Sequence, residues 1–293
     1  MNILMAINDN YVEQAMVLFR SLYDHYIDKV NVFIMDSELS FQNKKKIKVS
    51  LGRYGYVTKF VFVDKKIFMN APKRENISIE TYFRLLAFVL LPEVEKILYL
   101  DADIIINDSI EELWNIDMDN YCIAGVADQG TVQEDMYHRA LLGMKKTSTY
   151  INGGVLIMNL VNIRKKISLN MLLDYMDRMR GKLKYQDQDI INVIFENDIL
   201  YLPQKYNYTP IYQSKKDFVL SCFPLQKKIK PSIIHYMGDM KPWYDYYGYK
   251  YFKEYKKYCR KTRGVKLKKR IERNNIRRPI SLVFQFYRET FWW

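Results

Sequence analysis

Cysteine is scarce in this chain: three residues, Cys122, Cys222 and Cys259, among 293. An odd set with no metal-ligand spacing excludes a disulfide-stapled scaffold and a zinc module, and it fits packing residues in a reducing compartment. Long apolar runs are absent too. None reaches the roughly 18 residues that a membrane-spanning helix requires, and the N-terminus lacks the basic stretch that opens a signal peptide. The expectation is a protein that begins at Met1 and works in the cytoplasm. No G-x-G-x-x-G follows the first apolar run and no P-loop occurs, which counts against standard dinucleotide binding and P-loop phosphoryl transfer. Neither an internal repeat nor a Gly/Ser linker divides the sequence. With 49% apolar residues, a disordered or collagen-like chain is excluded, and the length allows one large α/β domain or one domain with an appendage.

Charge is placed unevenly. The chain carries 46 basic and 33 acidic residues, a net +13. Residues 250–293 hold 15 basic and 3 acidic side chains, so +12 lies there and only +1 in residues 1–249. The expected organisation is a body at 1–249 and a basic, helical C-terminal tail at 250–293 that meets something anionic. The tail carries Arg260-Lys261, Lys268-Lys269-Arg270 and Arg277-Arg278 among aromatic residues, and closes with Phe291-Trp292-Trp293. Cations beside aromatic and aliphatic side chains suit the headgroup zone of an anionic membrane, at roughly 1 kcal/mol per basic residue before screening. The alternatives are a solvated helix with a self-associating end and an RNA-binding arm.

The body alternates strand and helix patterns. Ile3–Ile7, Val30–Met35, Val57–Val63, Lys96–Leu100, Cys122–Ala127, Val155–Asn159 and Ser232–Tyr236 are short apolar runs of the kind that form buried strands. Val12, Ala15, Met16, Phe19, Leu22, Tyr23 and Tyr26 recur at steps of three and four, an amphipathic helix. A Lys-rich helix is expected over 40–51, and a buried helix over Ile79–Leu91, stopped at Pro92. This order predicts an α/β fold with a mainly parallel, doubly wound sheet. Asn8, Asp9, Asp101, Asp103, Asp128 and His235 fall at or just beyond strand ends, where such sheets place a ligand crevice.

Two strings carry chemistry. Leu98-Tyr99-Leu100-Asp101-Ala102-Asp103 sets two carboxylates two residues apart at a strand exit, where both can reach one Mg²⁺ or Mn²⁺. A D-x-D that caps a turn is the plainer reading, but paired acids beside a buried strand repel unless something positive lies between them. In Ile234-His235-Tyr236-Met237-Gly238-Asp239-Met240-Lys241-Pro242-Trp243, an imidazole leaves a strand, Gly238 permits close backbone approach and Lys241 adds a flexible cation. That combination suits a metal-bridged diphosphate; a core histidine followed by an ordinary turn is the alternative.

These strings, with Met5-Ala6-Ile7-Asn8-Asp9-Asn10-Tyr11, Ile77 through Arg84, Ile151-Asn152-Gly153-Gly154-Val155 and Tyr185-Gln186-Asp187-Gln188-Asp189, stand in the order found in glycosyltransferase family 8. The chain resembles that family, which includes glycogenin and bacterial lipopolysaccharide galactosyl- and glucosyltransferases, from about residue 1 to residue 247. The resemblance implies a single-crevice, Rossmann-like nucleotide-sugar fold of the GT-A type. It implies that Asp101, Asp103 and His235 ligate Mn²⁺ (or Mg²⁺), with Ala102, Gly238 and Lys241 beside the UDP diphosphate. Ala6, Asn8, Asn10 and Tyr11 would line the uridine pocket. Arg84, Asp128, Asn152, Gly153, Asp187 and Gln188 would face the donor sugar, with Asp128, Asp187 and Gln188 as the catalytic group. Bacterial members carry Asp where this chain has Asn8, whose amide can both donate and accept a hydrogen bond.

The function so implied is retaining transfer of glucose or galactose from UDP-glucose or UDP-galactose to a glycan or glycolipid, at the inner face of the cell membrane. Lewis-acid help to the leaving diphosphate agrees with the residue types present. No side chain is forced into a nucleophile's role, since an amide at Gln188 is a poor one, and same-face attack by the acceptor is expected. Several positions keep a plainer reading. Arg84 can pair with Glu80 at i, i+4, Asn152-Gly153-Gly154 can form a turn, and Asp187 and Asp189 can be first-turn acids that suit a helix dipole. Two other classes are weighed. A haloacid dehalogenase-type phosphatase needs its D-x-D near the first strand with Thr or Val after it, whereas here Ile104 follows. A nucleic-acid-binding module rests on the tail alone, so nucleic acid is not an expected partner. Acceptor contacts are expected from the loops 129–149 and 204–222.

Overall fold

Continuous apolar runs, rather than alternating ones, make up the strands at Asn2–Ala6, Asn31–Asp36 and Lys96–Leu100, and the computed structural model buries them on both faces. It describes residues 1–72, 78–130, 135–211, 229–245 and 248–268. Seven strands form one sheet: β1 (Asn2–Ala6), β2 (Asn31–Asp36), β3 (Val57–Phe62), β4 (Lys96–Leu100), β6 (Ile123–Ala127), β7 (Ile151–Asn159) and β8 (Ile199–Leu202). Their spatial order is β3-β2-β1-β4-β7-β6-β8. All neighbours are parallel except β7, which runs antiparallel to both β4 and β6. Period-two alternation then feeds two cores. Leu4, Ile97 and Tyr99 face one, whereas Ile3, Met5, Leu98 and Leu100 face the other. Burial on both faces is why these strands lack a polar side.

Helix Val12–Tyr23 covers one face, and the Lys-rich helix Phe41–Gly52 is capped by Ser40, whose hydroxyl accepts from the Asn43 N–H. Two differences from the sequence pattern matter. The segment Ile79–Leu86 is a 3₁₀ helix that becomes α only at Ala87–Leu90. Residues four apart are then about 120° apart around the axis rather than on one face, so Glu80 and Arg84 diverge and the plainer reading of Arg84 as the partner of Glu80 drops out. Strand β7 also begins at Ile151, four residues early, so Asn152-Gly153-Gly154 lie inside a strand and not in a turn.

A second, two-stranded sheet joins β5 (Ile104–Ile106) to β9 (Ile233–His235), antiparallel, with Ile104 opposite His235. Its outer side packs Ile105, Ile234 and Tyr236 against Val17 of the first helix and against Tyr255, Tyr258 and Cys259 of helix Phe252–Lys261. Tyr258 Oη lies 2.9 Å from His25 Nε2, and Lys261 Nζ lies 2.6 Å from Asp24 Oδ2. The packing thus crosses the composition break at residue 250. Cys122 and Cys259 are free and buried. The motif residue Ile77, the loop portion 212–222 with Cys222, and the tail beyond residue 268 lie outside the described residues.

Tyr255 is fully buried and meets Tyr236 edge-on at 5.5 Å. Tyr255→Ala should lower stability by about 3–5 kcal/mol, the usual range for removing a buried ring. Urea unfolding measures it, and an unchanged midpoint would mean that the C-terminal helix adds nothing to the body.

Candidate active site

The turn between β4 and β5 carries both acids of the D-x-D string. Asp101 N–H donates to Gly154 O at 2.9 Å, which ties the first acid to β7. Tyr236 N–H donates to Asp103 O at 2.9 Å, which ties the second to β9. These backbone bonds bring His235 to the acids across more than a hundred residues. His235 Nε2 lies 3.2 Å from Asp103 Oδ1 and 3.8 Å from Asp101 Oδ2. One ligand atom from each of the three falls within 4.8 Å of the others, so the cluster could hold a metal ion. Ala102 is buried between the acids.

The surroundings are charged to match. Lys241 Nζ lies 2.6 Å from Asp103 Oδ2 and donates to Tyr236 O at 3.2 Å. Burial opposes ionisation of Asp103, but Lys241 and His235 outweigh it and hold the carboxyl well below the usual range. Burial likewise opposes the Lys241 charge, and Asp103 reverses the effect and raises its pKa. Tyr99 donates to Asp101 Oδ1 at 2.7 Å. A Cβ at Gly154 would lie 2.7 Å from His235 Nδ1 and 2.8 Å from Asp101 Oδ2. Only glycine fits there, which explains a residue that otherwise weakens strands. Gly238, in the exposed turn between His235 and Lys241, has φ +84°, which glycine adopts without strain.

A second group continues along β7. Gln188 Oε1 accepts from Gly153 N–H at 2.8 Å and from Asn152 Nδ2 at 3.2 Å. Asn152 Nδ2 also donates to Asp128 Oδ2 at 3.1 Å, while Asp128 Oδ1 accepts from Gly130 N–H. Arg84 faces the sugar-side group rather than Glu80: Asp187 Oδ2 is 2.6 Å from Arg84 Nε. The same guanidinium donates to Gly153 O and lies over the Tyr99 ring at 4.3 Å, and its Nη1 is 3.5 Å from Asp101 Oδ1. Burial pushes the Asp187 carboxyl up even against the pull of Arg84. Asp189 is not an exposed first-turn acid. It is fully buried and binds Tyr150 Oη, the Tyr185 N–H and His138 Nε2.

At the end of β1 the chain turns through a 3₁₀ segment, Asp9–Tyr11. Asn8 Oδ1 accepts from Asn10 N–H, and Asn8 Nδ2 donates to Glu80 Oε2 at 3.1 Å. Ala6 is half-buried, and the Asn10 residue is exposed. Tyr11 meets Trp243 edge-on at 6.1 Å. Burial raises the Tyr11 pKa, with Lys241 and Asp103 near enough to act on it in opposite directions. Three roles in the site had no sequence signal: Glu80 as the partner of Asn8, Tyr99 beneath Arg84, and Asn207 beside His235. Asn207 sits just beyond a short 3₁₀ turn, and its Oδ1 lies 2.9 Å from His235 Nδ1.

Arg84→Met would strand the Asp187 carboxylate in the interior. Breaking such a pair costs about 3–5 kcal/mol at neutral pH. The folded-state pKa of Asp187 would then stand further above its unfolded value, so the deficit is largest at high pH and shrinks as pH falls through that folded value. Urea unfolding of variant and wild type at pH 7 and pH 5 checks this, and a pH-independent deficit would refute the buried-charge account.

Comparison with known proteins agrees with this geometry. The chain matches the model of glycosyl transferase family 8 over residues 2–246. It is 30% identical over 245 residues to a Haemophilus influenzae protein described as a glycosyltransferase, covering 83% of this chain and 73% of that one. It is 28% identical over 254 residues to an Escherichia coli lipopolysaccharide 1,2-glucosyltransferase, covering 84% and 74%. The crystal structure of the galactosyltransferase LgtC with donor and acceptor sugar analogs superposes with a TM-score of 0.81 at 26% identity, over 90% of this chain and 97% of that one. The phosphatase reading loses its ground, because Asp101 follows the fourth strand and not the first. Family match, central sheet and clustered site together place the protein in glycosyl transferase family 8, as a glycosyltransferase of nucleotide-sugar donors with the GT-A fold.

Proposed function

We propose that this glycosyltransferase is a retaining, metal-assisted hexosyltransferase that moves glucose or galactose from a UDP-sugar to a glycan or glycolipid. The observation that carries the reading is the convergence of Asp101, Asp103 and His235 on one point. The donor set fits a divalent cation. Two carboxylate oxygens and an imidazole nitrogen suit Mn²⁺, or Mg²⁺, and the missing side chain at Gly154 lets His235 and Asp101 close on one point. Bound there, such an ion would neutralise the departing diphosphate as a Lewis acid.

The chain's own groups surround that point in two sets. Lys241, held against Asp103, supplies a further positive charge for the phosphates, close to Gly238 and Ala102. Ala6, Asn8, Asn10 and Tyr11 form the side offered to uridine. One amide hydrogen and one carbonyl lone pair of Asn8 stay available to the base beyond those given to Glu80 and Asn10. Arg84, Asn152, Gly153, Asp128, Asp187 and Gln188 form the side offered to the hexose. None of the last three is a free nucleophile. The Gln188 oxygen already accepts two hydrogen bonds, Asp187 is paired with Arg84, and both Asp128 oxygens are engaged. This favours same-face attack by the acceptor hydroxyl, with its proton passing to the leaving phosphate oxygen. The Escherichia coli relative, a lipopolysaccharide glucosyltransferase, supports a hexose donor and a glycolipid acceptor. In this reading 1–249 is the catalytic region, and 250–293 holds it on the anionic inner face of the cell membrane. No helix among the described residues is long and apolar enough to cross a membrane.

Isothermal titration should show UDP binding that depends on Mn²⁺, and Asp103→Asn should abolish that dependence while the protein stays folded. Equal UDP binding with and without metal would end the metal assignment, and a panel of UDP-sugars tested for hydrolysis identifies the hexose. Removing 269–293 leaves the packed helix in place. The shortened protein should keep its hydrolysis rate and lose its affinity for vesicles containing phosphatidylserine. Undiminished vesicle binding would refute the anchoring role.

A further inference from the structure

His235 offers one ring nitrogen to the acids, and its other nitrogen is held by a residue far away in sequence. Asn207 is buried at 1% exposure, and its Oδ1 lies 2.9 Å from His235 Nδ1. Its Nδ2 donates to Asn152 Oδ1 at 2.8 Å. The direction of this chain of bonds is fixed by a group that can only donate. The Gly154 N–H points at Asn152 Oδ1 at 2.9 Å, so that atom is an acceptor. The Asn207 atom facing it must then be the NH₂, which leaves its carbonyl oxygen facing the imidazole. An acceptor there requires a proton on Nδ1, and in the neutral ring the lone pair of Nε2 faces Asp101 and Asp103. The other end is fixed in the same way, because the Gly153 N–H donates to Gln188 Oε1 and Asn152 Nδ2 donates to Asp128.

The backbone around Asn207 is clamped so that this amide cannot drift. Tyr208 N–H donates to Ile233 O at 3.0 Å, and His235 N–H donates to Tyr208 O at 2.9 Å. Gln129 Nε2 donates to Asn207 O at 3.3 Å, and Gln129 Oε1 accepts from the Thr209 hydroxyl at 3.1 Å. One amide therefore touches both halves of the site. It meets the imidazole on one edge and, on the other, the asparagine that binds Asp128 and Gln188.

We infer that Asn207 is a positioning residue: its carbonyl selects the His235 tautomer that can ligate a cation, and its NH₂ ties that centre to the Asn152–Asp128–Gln188 group. The inference rests on the metal reading above. Partners on the far nitrogen of a ligating histidine typically change metal affinity by about 10–100-fold.

The test compares full-length wild type with Asn207→Ala, Asn207→Asp and Asp103→Asn, titrated with Mn²⁺ in the presence of UDP and followed by electron paramagnetic resonance. Thermal melting and hydrolysis kinetics of UDP-glucose and UDP-galactose accompany it. Asn207→Ala removes both contacts and should weaken Mn²⁺ binding about 10–100-fold. Asn207→Asp keeps an acceptor for Nδ1 but loses the donor to Asn152. Its Mn²⁺ affinity should stay within a few-fold of wild type while kcat falls, by up to about 10²-fold if the sugar-side group shifts by an ångström. A folded Asn207→Ala with wild-type Mn²⁺ affinity overturns the proposal. So does an Asn207→Asp that matches wild type in both readouts, or one that loses the metal as completely as alanine does. Where Asn207→Ala does not fold, the aspartate variant alone decides between these outcomes. Wild-type Mn²⁺ binding by Asp103→Asn would instead indict the metal reading.

Discussion

Two carboxylates gathered within 4.8 Å of one another and of an imidazole nitrogen repel each other, and much of the surrounding structure answers that repulsion. Isolated, each carboxylate would have to be desolvated without a partner, which proteins avoid by protonating the group or pairing it. Here Lys241 sits 2.6 Å from Asp103, the Arg84 guanidinium stands 3.5 Å from Asp101, and the Tyr99 hydroxyl donates to Asp101. These contacts partly neutralise the acids while leaving oxygens turned toward the common point. Lys241 balances one acid and Arg84 is shared between Asp101 and Asp187, so carboxylates outnumber these two cations and the cluster keeps the charge that attracts a divalent cation.

The second constraint is space. Three elements, the β4–β5 turn, β7 and β9, approach so closely that the middle one cannot carry a side chain at Gly154. Placing glycines in a nine-residue strand weakens it intrinsically, yet β7 is hydrogen-bonded along both edges. That pairing tolerates the loss. With their side chains gone, the two glycines serve through their backbones. Gly153 and Gly154 each donate an N–H to a side-chain amide, and Gly153 and Gly154 carbonyls accept from Arg84 and Asp101. A strand interior thus acts as a rigid source of polar groups.

How much of this was visible in the sequence depended on what each residue's neighbours made of it. The strands β1, β2 and β4 were legible because burial on both faces leaves an unbroken apolar run. The first half of β7 was not, because Asn-Gly-Gly interrupts that run and resembles a turn. The 3₁₀ geometry at Ile79–Leu86 was hidden for a different reason. Glu80 and Arg84 have α-helical spacing, yet Asn8 binds one and Asp187 the other, contacts that lie far off in the sequence. In the basic C-terminal segment, net charge masked a packed face. Tyr255, Tyr258 and Cys259, at helical steps of three and four, bury against β5 and β9 while the lysines face outward. Within the site, the D-x-D string and His235 stood out by their residue types. Asn207 could not, since its role follows from a contact 28 residues away and asparagine is common in turns.

The helix that carries Asp187 and Gln188 shows why a motif of five polar residues can occur in a buried place. Gln186 precedes it at φ +55° and ψ −127°, a sparsely populated backbone conformation that costs a non-glycine residue about 1–3 kcal/mol. Such a bend persists only where its surroundings determine it. Asp189 provides that determination: one oxygen accepts from the Tyr185 N–H just before the bend, and the other meets Tyr150 and His138. Asn192, one turn further on, bonds both the N–H and the C=O of Ile151, which fixes the helix to β7. The strained residue therefore turns Asp187 and Gln188 toward the strand at the one register where Gly153 and Arg84 can receive them. Relaxing Gln186 toward an ordinary helical start would rotate both side chains away from the crevice, so the strain and the alignment of the sugar-facing group are a single structural feature.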